Sequence, residues 1–272
     1  MTTAELHGKV SGSGANATDT SEDLLTSNVF GCLRYVPPER ALVPFLETAK
    51  LDSKDVFRVQ RPVIRAYWSF WPYLQSPDRK PCEPDVVIGL ESEWGVHLVM
   101  VEAKYFSDKS SFEDEGEHPK DQLARELDNL DILKPGDLGW RTQKEVTQKT
   151  LLYVTQDVAM PRNAIRESLS EYSRKRGKPG TIYWTSWRSL GSILEEQLQS
   201  LNDEYQAAVL NDIKQLLEKK GLWMFHGVIP PAAVFNPKSF VFYIVPPSHY
   251  DWPRQLPLLA HLPAYEYLGG KK

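Results

Sequence analysis

Two apolar runs separated by a short polar turn constrain this chain more than any other feature. The first lies in PDVVIGLES, residues 84–92, and the second in HLVMVEAKY, residues 97–105, with Glu93-Trp94-Gly95 between them. Each run is short and largely apolar, so the pair reads as a β-hairpin with a buried second strand. The second strand is apolar at every position from 98 to 101, which marks it as buried.

The flanking segments place this hairpin in a larger fold. Residues 8–20, rich in Gly, Ser, Ala, Asn and Thr, read as a flexible lead-in, so a segment 1–20 is set apart. Thr20 followed by Asp23 fits a capping box for a helix over about 21–35, stopped by Pro37-Pro38. Residues 56–74, VFRVQRPVIRAYWSFWPYL, read as one strand or a broken pair, and 75–83 as a polar loop. After the hairpin come a polar loop over 107–119, a helix over about 120–133 and a strand over 150–155. A helix over 161–176 and a strand over 181–187 follow, then two helices over about 187–200 and 203–220 ending at Gly221. Beyond 222 the chain is Pro-rich, with one strong strand pattern, SFVFYIV, at 239–245. Strands alternating with helices after a hairpin imply an α/β protein with a mixed central sheet flanked by helices.

Composition narrows the setting. Over 272 residues, 41% are hydrophobic and 25% charged, as in ordinary globular proteins. No run approaches the roughly 18 apolar residues of a membrane span. The start lacks the apolar stretch of a secretory signal, and two distant cysteines, Cys32 and Cys82, form no disulfide framework, so a cytoplasmic location is expected. The formal net charge of −4 disfavours a protein that coats nucleic acid through a broad basic face. The densest basic run, Arg174 to Lys178, reads as a helix end whose cations complement the dipole. No two of the six histidines have metal-ligand spacing. The aromatic groups around Tyr67–Tyr73 and Tyr183–Trp187 read as core, although such rings also stack on bases.

The chemistry-bearing residues fall at the hairpin's end. The pattern [DE]-x-K occurs five times, but only Glu102-Ala103-Lys104 closes an apolar strand, and only it follows a strand opened by Pro-Asp. Alternation along a strand turns Glu102 and Lys104 to one face and Ala103 to the other. A hairpin brings Asp85 alongside. Such a set suits phosphodiester cleavage. Mg²⁺ takes hard oxygen ligands and keeps several waters, so one or two carboxylates suffice. A neighbouring lysine orients or deprotonates water, or offsets developing phosphorane charge. Taken one at a time, these residues also fit plain structural roles, such as a turn cap or an ion pair on a sheet rim.

Pro84-Asp85 followed by Glu102-Ala103-Lys104 at the end of a hydrophobic strand resembles motifs II and III of the PD-(D/E)xK, restriction-endonuclease-like, nuclease superfamily. The resemblance covers roughly residues 20–155. It implies an αβββαβ core. From the element order, a nuclease-like domain is expected over 21–190, with a helical and extended C-terminal extension over 191–272 packed on it. It also implies Mg²⁺ (or Mn²⁺) and in-line attack of water that leaves a 5′-phosphate and a 3′-hydroxyl. On this reading Asp85 and Glu102 hold the metal, with the Ala103 carbonyl as a further ligand. Lys104 positions the nucleophile. Glu22, in the first helix, supports the metal from outside or binds a second one. Gln122, in KDQLARELDNL, resembles the helix-borne glutamine of the RecB-like branch and orients Lys104 or contacts the phosphate. The implied substrate is nucleic acid, DNA in preference to RNA, and the implied partners are a second copy of the chain or a protein of a microbial defence or mobile-element system. The alternative is a silent member of the fold that binds nucleic acid or scaffolds a complex without cutting.

Overall fold

In the computed structural model, residues 22–105 and 118–223 are described, all within the unit Met1–Phe225. The lead-in 1–20, Thr20 of the expected capping box, most of the 107–119 loop and the 239–245 strand lie outside them.

Seven strands and six α-helices order the described residues. They run α1 (Glu22–Leu33), α2 (Leu42–Leu46), β1 (Arg65–Phe70), β2 (Leu74–Ser76), β3 (Arg79–Cys82), β4 (Val86–Glu91) and β5 (Val96–Ala103), then α3 (Gln122–Ile132), β6 (Val146–Thr155), α4 (Arg162–Arg176), β7 (Ile182–Ser186), α5 (Ser189–Ser200) and α6 (Glu204–Lys219). Five strands form one mixed sheet in the order β1-β4-β5-β6-β7. β1, β4 and β5 are antiparallel neighbours, whereas β5, β6 and β7 run parallel.

β5 is the middle strand and is buried at all eight positions. Its alternate residues serve two cores. Val99, Val101 and Ala103 face a layer built on α1, α2, α5 and α6. Val96, Leu98 and Met100 face α3 and α4. The C-terminal helices α5 and α6 therefore share a core with the sheet through Leu190, Leu194, Ile213 and Leu217. Among the described residues no helix is long and apolar enough to cross a membrane.

The hairpin turns at Gly95, whose φ of +147° and approach to Glu145 O leave no room for a side chain. A Cβ there would sit 2.7 Å from that carbonyl. The expected strand over 56–74 is much shorter. Only Arg65–Phe70 joins the main sheet. Pro62 has no N–H for a ladder. Carboxylates also take the nearby donors: Val59 N donates to Glu47 and Val63 N to Glu39. The 75–83 segment, expected as a loop, instead forms the small β2–β3 sheet. Long-range contacts hold it, since Asn129 Nδ2 donates to Lys80 O and Arg79 pairs with buried Asp128 at 3.1 Å. The short helix α2 falls in a stretch for which the sequence suggested no element; at its third position Pro44 has no intrahelical N–H bond to lose.

The basic run stands at the end of α4 as expected, and Gly177, left-handed at φ 68°, caps the helix. Two of its cations turn inward to α3: Arg176 pairs with Asp128 and Lys178 with Asp131. Cys32 and Cys82 are free thiols.

Candidate metal centre

Sheet register brings the first pair of acids together. Val86 pairs with Val101, so the same register carried one residue further sets Asp85 opposite Glu102. Glu102 continues the Leu98–Met100 side of β5 and so faces α3, while Ala103 points into the opposite core. Glu22, the first described residue of α1, approaches from the neighbouring helix. One carboxylate oxygen from each of Glu22, Asp85 and Glu102 lies within 4.8 Å of the other two.

Each acid is held by specific donors. Ala103 N donates to Asp85 Oδ2 (2.8 Å), and Trp71 Nε1 to Asp85 Oδ1 (3.2 Å). Tyr105 N donates to Glu22 Oε2 (3.0 Å). Lys104 Nζ bridges Glu22 Oε1 at 3.0 Å and Glu102 Oε1 at 2.6 Å. Gln122 Nε2 donates to the same Glu102 oxygen. Asp121 caps α3 by accepting from Ala124 N at 3.1 Å, which sets the helix start, and hence Gln122, over the end of β5.

All five expected side chains therefore meet in one place. Gln122 touches Glu102, where an effect on Lys104 or on substrate was expected. Glu22 joins the acid triangle directly. Ala103 supplies its amide to Asp85.

Two further residues belong to the site. Glu126 stands one turn along α3 from Gln122, only 1% exposed, with its carboxyl in hydrogen-bond contact with Glu102. Its four-residue spacing from Gln122 along α3 is the only sequence signal that could have found it, and a single helical glutamate looks like any solvated one. Trp71 adopts φ 45°, a left-handed conformation rare for a bulky side chain and costing about 1–3 kcal/mol. Its burial, its amide bond to Asp85 O (3.0 Å) and its indole bond hold it there. In the sequence it was one aromatic among several assigned to core.

The electrostatics are crowded. Burial first, and Glu102 second, push the Asp85 carboxyl well above the usual range. Burial and Glu126 do the same to Glu102. Glu126 is pushed up to about 8 by burial, with Asp85 adding to the shift. Burial opposes the Lys104 charge, but Glu102 and Glu22 outweigh it and hold the ammonium above its ordinary value. Lys104 thus stays protonated through the physiological range.

The donor set fits a hard divalent cation. It is all carboxylate oxygen, and carboxyls buried against one another gain most from a neighbouring positive ion. Mg²⁺ takes oxygens at about 2.1 Å, with adjacent octahedral ligands about 3 Å apart, so the three acids would close on one ion by drawing together by up to about 1 Å each. Glu22 and Gln122 are only half-buried and form the side open to solvent. No family model, curated protein or solved structure matches the chain.

Proposed function

We propose that this chain is a metal-dependent nuclease of the PD-(D/E)xK type that hydrolyses phosphodiester bonds of DNA. The observation that carries the reading is the convergence of Asp85, Glu102, Glu22 and Lys104 at the ends of two paired strands. The order α1, β1, β4, β5, α3, β6 also follows the αβββαβ succession of that core, with β2–β3 as an inserted hairpin.

Asp85, Glu102 and Glu22 would hold Mg²⁺ or Mn²⁺, with the Ala103 carbonyl as a further oxygen ligand. When bound, such an ion supplies a Lewis acid for the scissile phosphate and lowers the pKa of water. The protein's own groups do the rest. Asp85 is pinned through both oxygens, so its free lone pairs keep one direction. Lys104 acts as a fixed cation: two of its three N–H groups go to Glu22 and Glu102, and the third is left for the attacking water or a phosphate oxygen. An ammonium held protonated stabilises the extra negative charge of the transition state; it does not take the proton from water. Gln122 restrains Glu102 from the α3 side.

The test is cleavage of plasmid, linear duplex, single-stranded DNA and RNA with Mg²⁺ or Mn²⁺, comparing wild type with Asp85→Ala and Lys104→Ala. Cutting that needs the metal and falls at least about 100-fold in both variants is expected. Cutting that survives both substitutions would refute the assignment of the site. A wild-type protein that binds the metal but cuts none of the four polymers would favour the silent, binding form of the fold.

A further inference from the structure

Glu22 is the acid of the triangle that the sheet does not fix. Asp85 and Glu102 stand at the ends of paired strands, whereas Glu22 comes from α1 and its side chain is 21% exposed. Lys104 Nζ donates to its Oε1 and Tyr105 N to its Oε2, both at 3.0 Å. Tyr105 is the second residue past the end of β5, where the pairing with β6 has stopped. The position of its amide therefore rests on its side chain.

That side chain is anchored on α6. The ring is 4% exposed, in the core shared by α1, α5 and α6. The hydroxyl donates to Lys220 O at 2.7 Å, and the Lys220 ammonium stands 5.4 Å from the ring centroid. Lys220 closes α6, where the last carbonyls of a helix have no partner within it. This helix end is itself fixed. Gly221 turns at φ 66°, Leu222 N donates to Leu217 O at 2.8 Å, and Arg188 Nη1 donates to Gly221 O at 2.8 Å. Leu210, Ile213 and Leu217 of α6 share the core with Leu25 and Val29 of α1, and the two helices touch. Helix α6 thus supports both sides of one contact: the helix that carries Glu22, and the residue whose amide meets it.

A buried tyrosine often does no more than satisfy its own hydroxyl. Here the same residue also makes the bond to Glu22. Resting on the reading of the acid triangle as a metal centre, we infer that Tyr105 is a positioning residue for it, whose hydroxyl, tied to the end of α6, holds the amide that aims Glu22. The C-terminal helix α6 then belongs to the centre at one remove. Partners of this outer kind typically govern metal affinity about 10- to 100-fold.

The test is Mn²⁺ titration of the whole chain without substrate, with the free ion read by electron paramagnetic resonance. Tyr105→Phe keeps the ring and loses the hydroxyl; its affinity should fall about 10-fold, with the fold checked by circular dichroism. Ile213→Val trims α6 in the same core but keeps the bond to Lys220 O, and its affinity should match wild type. Coupling between two sites is reciprocal, so saturating Mn²⁺ should also slow hydrogen exchange at the Gly221 and Leu222 amides of wild type several-fold. This last measurement decides the matter if Tyr105→Phe does not fold. Unchanged affinity in Tyr105→Phe, an equal fall in Ile213→Val, or exchange at the end of α6 that ignores Mn²⁺ would overturn the role of Tyr105 and leave the metal centre standing. No bound Mn²⁺ in wild type would overturn the centre itself, and the role of Tyr105 with it.

Discussion

Replacing Glu126 by Gln should stabilise the metal-free protein, and by an amount that grows with pH. Its carboxyl is pushed from an ordinary 4.5 up to about 8, chiefly by burial. Between these values the folded chain holds a proton that the unfolded chain has released. Stability therefore falls as pH rises through this window. At about 1.4 kcal/mol per pH unit, the full loss by pH 8 is at most roughly 5 kcal/mol. Glu102 shares the strain, so a part of that sum is expected for Glu126 alone. At pH 5 the loss is about 1 kcal/mol or less. Gln has the same shape, carries no charge and donates to Glu102. Urea unfolding in EDTA at pH 5, 6, 7 and 8 measures the effect. Wild-type stability should drop by several kcal/mol across the series, and the variant's slope should be clearly shallower. Asp85 and Glu102 are raised as well, so the variant is not expected to be flat. Adding Mg²⁺ at about 100 times its dissociation constant should return about 2.7 kcal/mol to wild type at pH 8. Parallel pH curves for the two proteins would refute the view that Glu126 is held against its charge by burial.

Other perturbations follow from the same geometry. Trp71→Phe keeps the packing but removes the N–H bonded to Asp85, so Mn²⁺ affinity should fall about 10-fold or more by calorimetry; unchanged affinity would mean that the indole does not orient the ligand. Lys104→Ala takes the cation from between Glu22 and Glu102 and should cost about 3–5 kcal/mol at pH 8, read by denaturant unfolding, with a smaller cost at pH 5 where the carboxyls protonate. Asp128→Ala strands Arg79 and Arg176 between the β2–β3 sheet, α3 and α4, and should also cost about 3–5 kcal/mol. That change lies away from the acid triangle, so the number of bound Mn²⁺ ions should stay the same once the variant is folded.

Much of the site was legible in the sequence because its geometry is local. A strand's two-residue period puts Glu102 and Lys104 on one side, and a short turn fixes the register that sets Asp85 opposite Glu102. The succession of strands and helices after the hairpin was likewise readable from periodicity, and it led to a mixed sheet with helices on it. Glu22 and Gln122 were reached through the family resemblance, not through spacing.

The rest depends on what the chain meets far from itself. The β2–β3 strands exist because Asn129 and Asp128 hold them, and no local pattern in a Pro-rich polar segment encodes those partners. The 56–64 stretch has the composition of a strand, but Pro62 and the carboxylates of Glu39 and Glu47 divert its backbone. Glu126 looks in sequence like any glutamate on an amphipathic helix; only the docking of α3 against β5 seals it from water beside Glu102. A carboxylate's chemistry is set by the solvent it loses and the charges it gains, and both come from other parts of the chain. Sequence alone determined which acids the hairpin brings together, whereas the packing of helix on sheet decided how many acids the centre holds and how strongly they oppose one another.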